Sequence, residues 1–125
     1  EVAEILNSFE QVNMANVYGV KVPKSEGRAG MVAFNCALDE FDWDKFSSFV
    51  SDKLPSYAQP IFVRIIEELE TTGTFKLKKN DLREEAYHLD KVNGNQIFIK
   101  KPGQDSYIPL DKDYYQVIES GEAGF

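Results

Sequence analysis

The chain of 125 residues has the length of one compact domain and carries a formal net charge of −7, with 42% hydrophobic and 28% charged residues. This composition is typical of a folded globular domain, and the negative charge argues against a surface that grips nucleic acid or an anionic membrane. The only cysteine, Cys36, cannot form an internal disulfide, so a reducing, cytoplasmic setting is expected.

Residues 1–38 predict one helix and two strands. Residues 1–10 place apolar side chains at helical spacing but begin without a cap, so we expect a chain cut from a longer protein. Residues 12–23 predict a strand, and the polar residues 24–30 predict a loop. A second strand, covered on both faces, is predicted over residues 31–38, where Cys36 would be a core thiol.

A wide apolar stripe over residues 43–54 ends at Pro55 and predicts a helix packed on the sheet. Residues 61–69 predict the next strand. A short helix is predicted over residues 81–87, where Asp81 and Glu84 stand at capping-box spacing.

The last third predicts a terminal hairpin around Pro102 and Gly103, because strand-like stretches lie on both sides of that pair. Residues 111–121 predict a final helix that Asp111 caps and Gly121 ends. The elements together predict one α+β domain over residues 1–125, a small mixed sheet covered by helices with a C-terminal hairpin and helix.

Several kinds of catalytic site have no support in this sequence. His88 is the only histidine, so zinc-ligand spacing, a Ser-His-Asp arrangement and a Cys-His pair are all unsupported, and no metal site is predicted. We expect His88 to be a surface or packing residue. The carboxylates are numerous, but they fall in turns and on solvated faces, and no catalytic pair stands out.

The segment "TTGTFKLKK", residues 71–79, is the strongest candidate for chemistry. Threonine hydroxyls and the N–H groups of a glycine turn can face one way and cradle an anion, with Lys76 at the mouth. A compact ammonium group suits phosphate chemistry, because it can follow charge as it moves between oxygens. The residues alone leave open a simpler alternative, a solvated basic turn that offsets nearby glutamates.

Three stretches of the chain together resemble a known family. "NVYGVKVPKSEGRAGMVAF", "LPSYAQPIFVRIIEELETTGTFKLKKNDLREEAY" and "YIPLDKDYYQVI" resemble, in that order, the C-terminal domain of acyl-CoA synthetases. The likeness is strongest to the very-long-chain acyl-CoA synthetase and fatty acid transport protein branch of the adenylate-forming superfamily, and it covers nearly the whole chain. It implies that residues 1–125 are a mobile lid domain of a larger enzyme, whose N-terminal domain binds ATP and fatty acid.

The resemblance also implies site residues. Lys76 matches the catalytic lysine, which bridges the attacking carboxylate and the nucleotide during adenylation. Phe75 stands where most members of the superfamily have glycine, a departure typical of this branch, and Lys79 matches the basic position that follows. The implied nucleotide and substrate loop comprises Thr72, Gly73, Thr74 and Lys79.

The implied reaction has two steps and several partners. A fatty acid and MgATP give an acyl-adenylate and pyrophosphate, and the thiol of CoA then displaces AMP. ATP and Mg²⁺ would be bound mainly by the N-terminal domain, against which this domain swings between the steps. Lys24 and Arg28 are candidate neighbours of the CoA phosphates, although an ordinary polar connection between strands remains open. The isolated domain is expected to be inactive.

Two alternatives to a fatty acid ligase remain open at this stage. The chain could be a non-catalytic acidic binding module, or the same domain from a ligase for bile acids or aromatic acids. No apolar run approaches the roughly 20 residues that span a bilayer, so no transmembrane segment is predicted in this chain. Membrane association of the larger enzyme stays open, and no nucleic-acid partner is expected.

Overall fold

The computed structural model describes residues 2–23, 28–66, 79–92, 95–101, 103–104 and 106–122. Four α-helices and five β-strands lie within these residues. In chain order they are α1 (Val2–Asn7), β1 (Asn13–Lys21), β2 (Arg28–Asn35), α2 (Trp43–Lys53), β3 (Phe62–Ile65), α3 (Lys79–Glu85), β4 (Gln96–Ile99), β5 (Ile108–Pro109) and α4 (Lys112–Glu119).

The five strands form one mixed sheet in the order β1-β2-β3-β4-β5. Strands β2 and β3 are parallel, and every other neighbouring pair is antiparallel. Parallel neighbours need a crossover connection, which α2 supplies between β2 and β3. The predicted α+β fold with a small mixed sheet is therefore confirmed.

Helices cover both faces of the sheet. Side chains alternate between the two faces along each strand, so a single strand contributes to both cores. Val32 and Phe34 of β2 join the core under α1 and α2, where Phe46 is fully buried. Met31 and Ala33 of the same strand join a second core under α3 and α4. The sheet thus has a buried layer on each side, as the apolar run of β2 predicted.

The predicted helix ends are confirmed where the cap residues are described. Asp111 caps α4, since its Oδ1 atom accepts a hydrogen bond of 2.8 Å from the backbone N–H of Tyr114. Gly121 follows this helix in the left-handed region, with φ of 82°. Asp42 caps α2 in the same way, accepting 3.0 Å from the backbone N–H of Lys45.

The loop predicted over residues 24–30 is wrong in its second half. Strand β2 begins at Arg28, which pairs with Lys21, and Gly30 lies opposite Gly19. Gly30 suggested a loop, but it lies inside the strand, and the backbone of Pro60 is close to it. A Cβ atom on Gly30 would lie 3.5 Å from the Cα atom of Pro60.

The predicted capping box at the second short helix is also wrong. Helix α3 begins at Lys79, so Asp81 lies inside the helix instead of at its N-cap. The buried face decides this placement, because Leu82 and Ala86, four residues apart, both face the sheet. The helix ends at Glu85, and Ala86 follows with a left-handed φ of 42°.

Other predictions hold with adjusted ends. Strand β3 ends at Ile65, and residues 67–69 of the predicted strand lie outside the described residues. Cys36 follows β2 and is buried in the core, as predicted. The terminal hairpin pairs β4 with β5, which has only two residues. Along the described parts of the chain, each helix is too short or too polar to cross a bilayer.

Candidate functional site

The predicted catalytic loop falls between two described elements, β3 and α3. We call residues 67–78 the Lys76 segment. It lies outside the described residues, as does Lys24. Lys79 is the first residue of α3, and Arg28 is the first residue of β2. The predicted residues within the Lys76 segment are Thr72, Gly73, Thr74 and Lys76.

The end of α3 and the residues after it pack against β3. Leu82 is fully buried in the core under α3 and α4. The ring of Tyr87, just after the helix, stacks on the ring of Phe62 with centroids 4.6 Å apart and an interplanar angle of 7°. Helix α3, which follows the Lys76 segment, is therefore held against one face of the sheet that contains β3, the strand before the segment.

A buried arginine lies between these two elements. The Arg64 side chain of β3 is 2% exposed, and its Nη1 atom lies 2.7 Å from Oε1 of Glu85 at the end of α3. Its Nε–H donates a hydrogen bond of 3.0 Å to Oδ1 of Asn95, and Nη2 lies 3.5 Å from the carbonyl of Val92. Arg64 thus connects the strand before the Lys76 segment to the helix after it.

The contact between Arg64 and Glu85 is an ion pair by distance, although the two atoms are not aligned as a hydrogen bond. The Tyr18 hydroxyl of β1 is buried in the same region, with no hydrogen-bond partner in the described part of the chain. Burial raises the pKa of Tyr18, the positive charge of Arg64 opposes that rise, and the negative charge of Glu85 adds to it. We therefore expect a neutral Tyr18 phenol at neutral pH.

Sequence reasoning missed Arg64. It treated residues 61–69 as one strand and looked for chemistry only in the turn that follows. A signal was present, because Arg64 is the only charged residue in the otherwise apolar run "IFVRII". A cation inside a buried strand requires a partner, since lone buried charges are costly.

His88 belongs to a second polar cluster, between the residues after α3 and helix α4. Its Nδ1 atom lies 2.7 Å from the Tyr115 hydroxyl and 3.3 Å from Oε1 of Glu119. The Tyr87 hydroxyl lies 3.4 Å from the other oxygen of Glu119. Burial raises the pKa of Tyr115 to about 12, and the hydrogen bond with Glu119 adds to that rise. His88 is half-buried and packs against α4, in agreement with the prediction.

Arg28 is exposed at the first position of β2, where it pairs with Lys21 of β1, and its side chain lies beside Gly19. A Cβ atom at Gly19 would come within 3.2 Å of the Cβ and Cδ atoms of Arg28. The glycine therefore leaves room for the Arg28 stem to lie over the neighbouring strand. The guanidinium is available to an anion at this end of the sheet.

Among the described residues, no group of three or more His, Cys, Asp or Glu side chains could hold a metal ion. The Mg²⁺ that adenylate-forming chemistry implies has no candidate ligand set in this part of the chain.

Solved structures with the same fold include a ligase and an acyl-CoA synthetase. A coronafacic acid ligase from Pectobacterium brasiliense matches with a TM-score of 0.61 and 21% identity, over 79% of this chain and 19% of that one. A fatty acyl CoA synthetase from Mycobacterium tuberculosis matches with a TM-score of 0.56 and 21% identity, over 69% of this chain and 17% of that one. At this identity the likeness concerns the fold.

The chain belongs to the AMP-binding enzyme C-terminal domain family, whose model matches residues 1–76. It is 42% identical to mouse long-chain fatty acid transport protein 6 over 123 residues, which are 98% of this chain and 20% of that protein. It is 35% identical to the medium/long-chain-fatty-acid–CoA ligase FadD6 of Mycobacterium tuberculosis, over 97% of this chain and 20% of that protein. The family resemblance read from the sequence is confirmed. The chain spans about one fifth of the length of these relatives.

Proposed function

We propose that this chain is the C-terminal domain of an AMP-forming ligase that joins long-chain or very-long-chain fatty acids to CoA. The observation that carries the proposal is its similarity, along nearly its whole length, to proteins named as fatty acid transport proteins and as a fatty-acid–CoA ligase. A larger N-terminal domain would bind ATP and the fatty acid, and it would be the main partner of this domain. The proposed setting is the cytoplasm, where ATP and CoA are available.

In the proposed first step, Lys76 stabilises adenylate formation. An oxygen of the fatty acid carboxylate attacks the α-phosphorus of ATP, the bond to the β-phosphate oxygen breaks, and pyrophosphate leaves with that electron pair. Two anions are brought together in this step, so an ammonium group between them lowers the barrier. The hydroxyls and N–H groups of Thr72, Gly73 and Thr74, with Lys79, would orient the nucleotide beside Lys76.

In the proposed second step, the thiolate of CoA attacks the acyl carbon of the adenylate, the acyl–oxygen bond breaks, and AMP leaves. The domain would present another face for this step. Lys24 falls in the sequence between β1 and β2, and Arg28 is the first residue of β2; these two cations would contact CoA phosphates. The exposed position of Arg28, with its side chain beside Gly19, supports this assignment.

The test of the proposed function is an assay of the full-length protein that carries this chain. Palmitate-dependent exchange of pyrophosphate into ATP measures the first step, and palmitoyl-CoA with AMP measures both steps together. We expect both activities with palmitate and little with benzoate or cholate. A protein that binds none of these acids and exchanges no pyrophosphate would contradict the proposal and favour a non-catalytic module. Turnover of only benzoate or cholate would reassign the substrate.

Arg28→Ala is expected to raise the KM for CoA about three- to tenfold, the effect of losing roughly 0.7–1.4 kcal/mol of phosphate binding at an exposed site. Pyrophosphate exchange should stay within about twofold of wild type, since CoA takes no part in that step. The measurement is thioester formation at varied CoA concentration.

Lys53→Ala is a control of the same charge change, because Lys53 is an exposed residue at the end of α2. Gly19→Ala should have a smaller effect in the same direction, since the added methyl group would lie 3.2 Å from the Arg28 stem and shift it slightly. An unchanged KM for CoA in Arg28→Ala would remove Arg28 from the CoA site.

A further inference from the structure

Arg64 is a charged residue at a buried position, where the neighbouring side chains on the same face of the sheet are apolar. Strand alternation places it on the same face of the sheet as Phe62, which is fully buried. Its side chain is 2% exposed and is held by Glu85, Asn95 and the carbonyl of Val92. A methionine or leucine would fill this place without any of these polar contacts.

Stability is a poor reason to keep such an ion pair. Removing two charges from water costs about as much as their attraction returns, so a well-packed apolar pair is often equally stable or more stable. Here the geometry is not ideal, because Nη1 of Arg64 and Oε1 of Glu85 are close but not aligned as a hydrogen bond. What the pair supplies, and an apolar pair does not, is an electrostatic link between two elements, beside the hydrogen bond that Nε of Arg64 donates to Asn95.

The link joins the two ends of the Lys76 segment. Arg64 is in β3, which ends at Ile65, just before residues 67–78. Glu85 is the last residue of α3, which begins at Lys79, just after them. The contacts with Asn95 and Val92 extend the link to the connection that leads into β4. Arg64 thus links the strand that precedes the Lys76 segment in the sequence to the helix that follows it.

We propose that Arg64 is a positioning residue for adenylate formation, acting through Glu85 and Asn95 to hold α3 in the register against β3 that presents Lys76 to the nucleotide. This inference rests on the proposed function. Displacement of a reacting group by about 1 Å can cost a hundredfold in rate, so a small shift of α3 matters for chemistry even where the fold survives.

The test compares variants of the full-length protein. The double variant Arg64→Met/Glu85→Leu replaces the pair with apolar side chains of similar size. Glu85→Gln is a milder change that keeps an acceptor and removes the charge, and Glu84→Gln is its matched control, because Glu84 is the exposed neighbour on the same helix. Each variant is assayed for pyrophosphate exchange, for thioester formation from supplied palmitoyl-adenylate, and for its melting temperature.

We expect the double variant to melt within about 3 °C of wild type, to lose about tenfold or more in the kcat of pyrophosphate exchange, and to keep thioester formation within about threefold. Glu85→Gln should lose less in the same step, and Glu84→Gln should lose nothing. A parallel fall of both steps with the melting temperature, or unchanged exchange in both Glu85→Gln and the double variant, would overturn the positioning role.

Lys76→Ala is measured beside these variants so that the two proposals can fail separately. If Lys76→Ala abolishes exchange while the Arg64 and Glu85 variants exchange normally, only the positioning role is wrong. If Lys76→Ala itself exchanges normally, the catalytic assignment of Lys76 and the positioning role are both overturned, whereas a wild-type protein that exchanges no pyrophosphate overturns the proposed function.

Discussion

Replacing Lys76 with alanine in the full-length protein is expected to slow adenylate formation about a hundredfold or more, which corresponds to a loss of at least about 2.7 kcal/mol of transition-state stabilisation. The reason is electrostatic. Negative charge accumulates at the α-phosphate while a carboxylate approaches it, and no other cation of this chain is assigned to that place. Pyrophosphate exchange with palmitate measures the effect directly.

Thioester formation from supplied palmitoyl-adenylate should be retained by Lys76→Ala, because the adenylate has already formed. A split between the two steps separates a catalytic role from general damage to the domain. Lys78→Ala is the matched control, since it removes the same charge two residues away and is expected to face solvent. Equal, intact rates of both steps in Lys76→Ala would contradict the catalytic assignment.

Much of the fold could be predicted because local patterns agree with it. The apolar stripe of α2 and the cap Asp111 of α4 are local signals, and these two helices lie where such signals place them. The apolar run of β2 also indicated an interior strand with both faces covered. These features depend on residues within a few positions of one another, so one sequence is enough to reveal them.

The errors come from contacts between distant parts of the chain. Gly30 looks like a loop residue in the sequence, because its neighbour Pro60 lies thirty positions away along the chain. The first turn of α3 was placed two residues late, because its buried face is set by the sheet and not by Asp81. Arg64 was passed over for the same reason, since its partners Glu85 and Asn95 are remote in sequence.

The candidate site depends on a different kind of information. A lysine that meets a nucleotide must be exposed in the unbound domain, so it leaves no apolar periodicity that would distinguish it from a solvated basic turn. Composition therefore could not select Lys76, whereas the order of threonines, glycine and lysine that resembles the family could. Arg64 is the converse case, because its buried contacts identify it and no motif does.

The largest expected effect on stability is that of Phe46→Ala, because Phe46 is fully buried at the centre of the core under α1 and α2. Its ring lies within 6 Å of five others, those of Phe9, Phe34, Phe41, Trp43 and Tyr107. Truncation removes the apolar contacts and leaves a cavity that these large rings cannot easily fill. The free energy of unfolding should fall by about 3–5 kcal/mol.

Phe49→Ala on the same helix is the matched control, since Phe49 is half-buried and its ring is tilted by 59° against that of Phe9, with centroids 5.1 Å apart. Denaturant unfolding of the 125-residue chain should show a loss of unfolding free energy for Phe49→Ala that is less than half that of Phe46→Ala. Equal losses would contradict this account of the core.

The effect of Phe46→Ala extends beyond stability. Helix α2 is the crossover that makes β2 and β3 parallel neighbours, so a loosened α2 also loosens the strand that carries Arg64. Because domains of this size are stable by only about 5–15 kcal/mol, Phe46→Ala should also reduce adenylate formation in the full-length protein, together with thioester formation. That joint loss distinguishes core damage from the selective loss expected of Lys76→Ala.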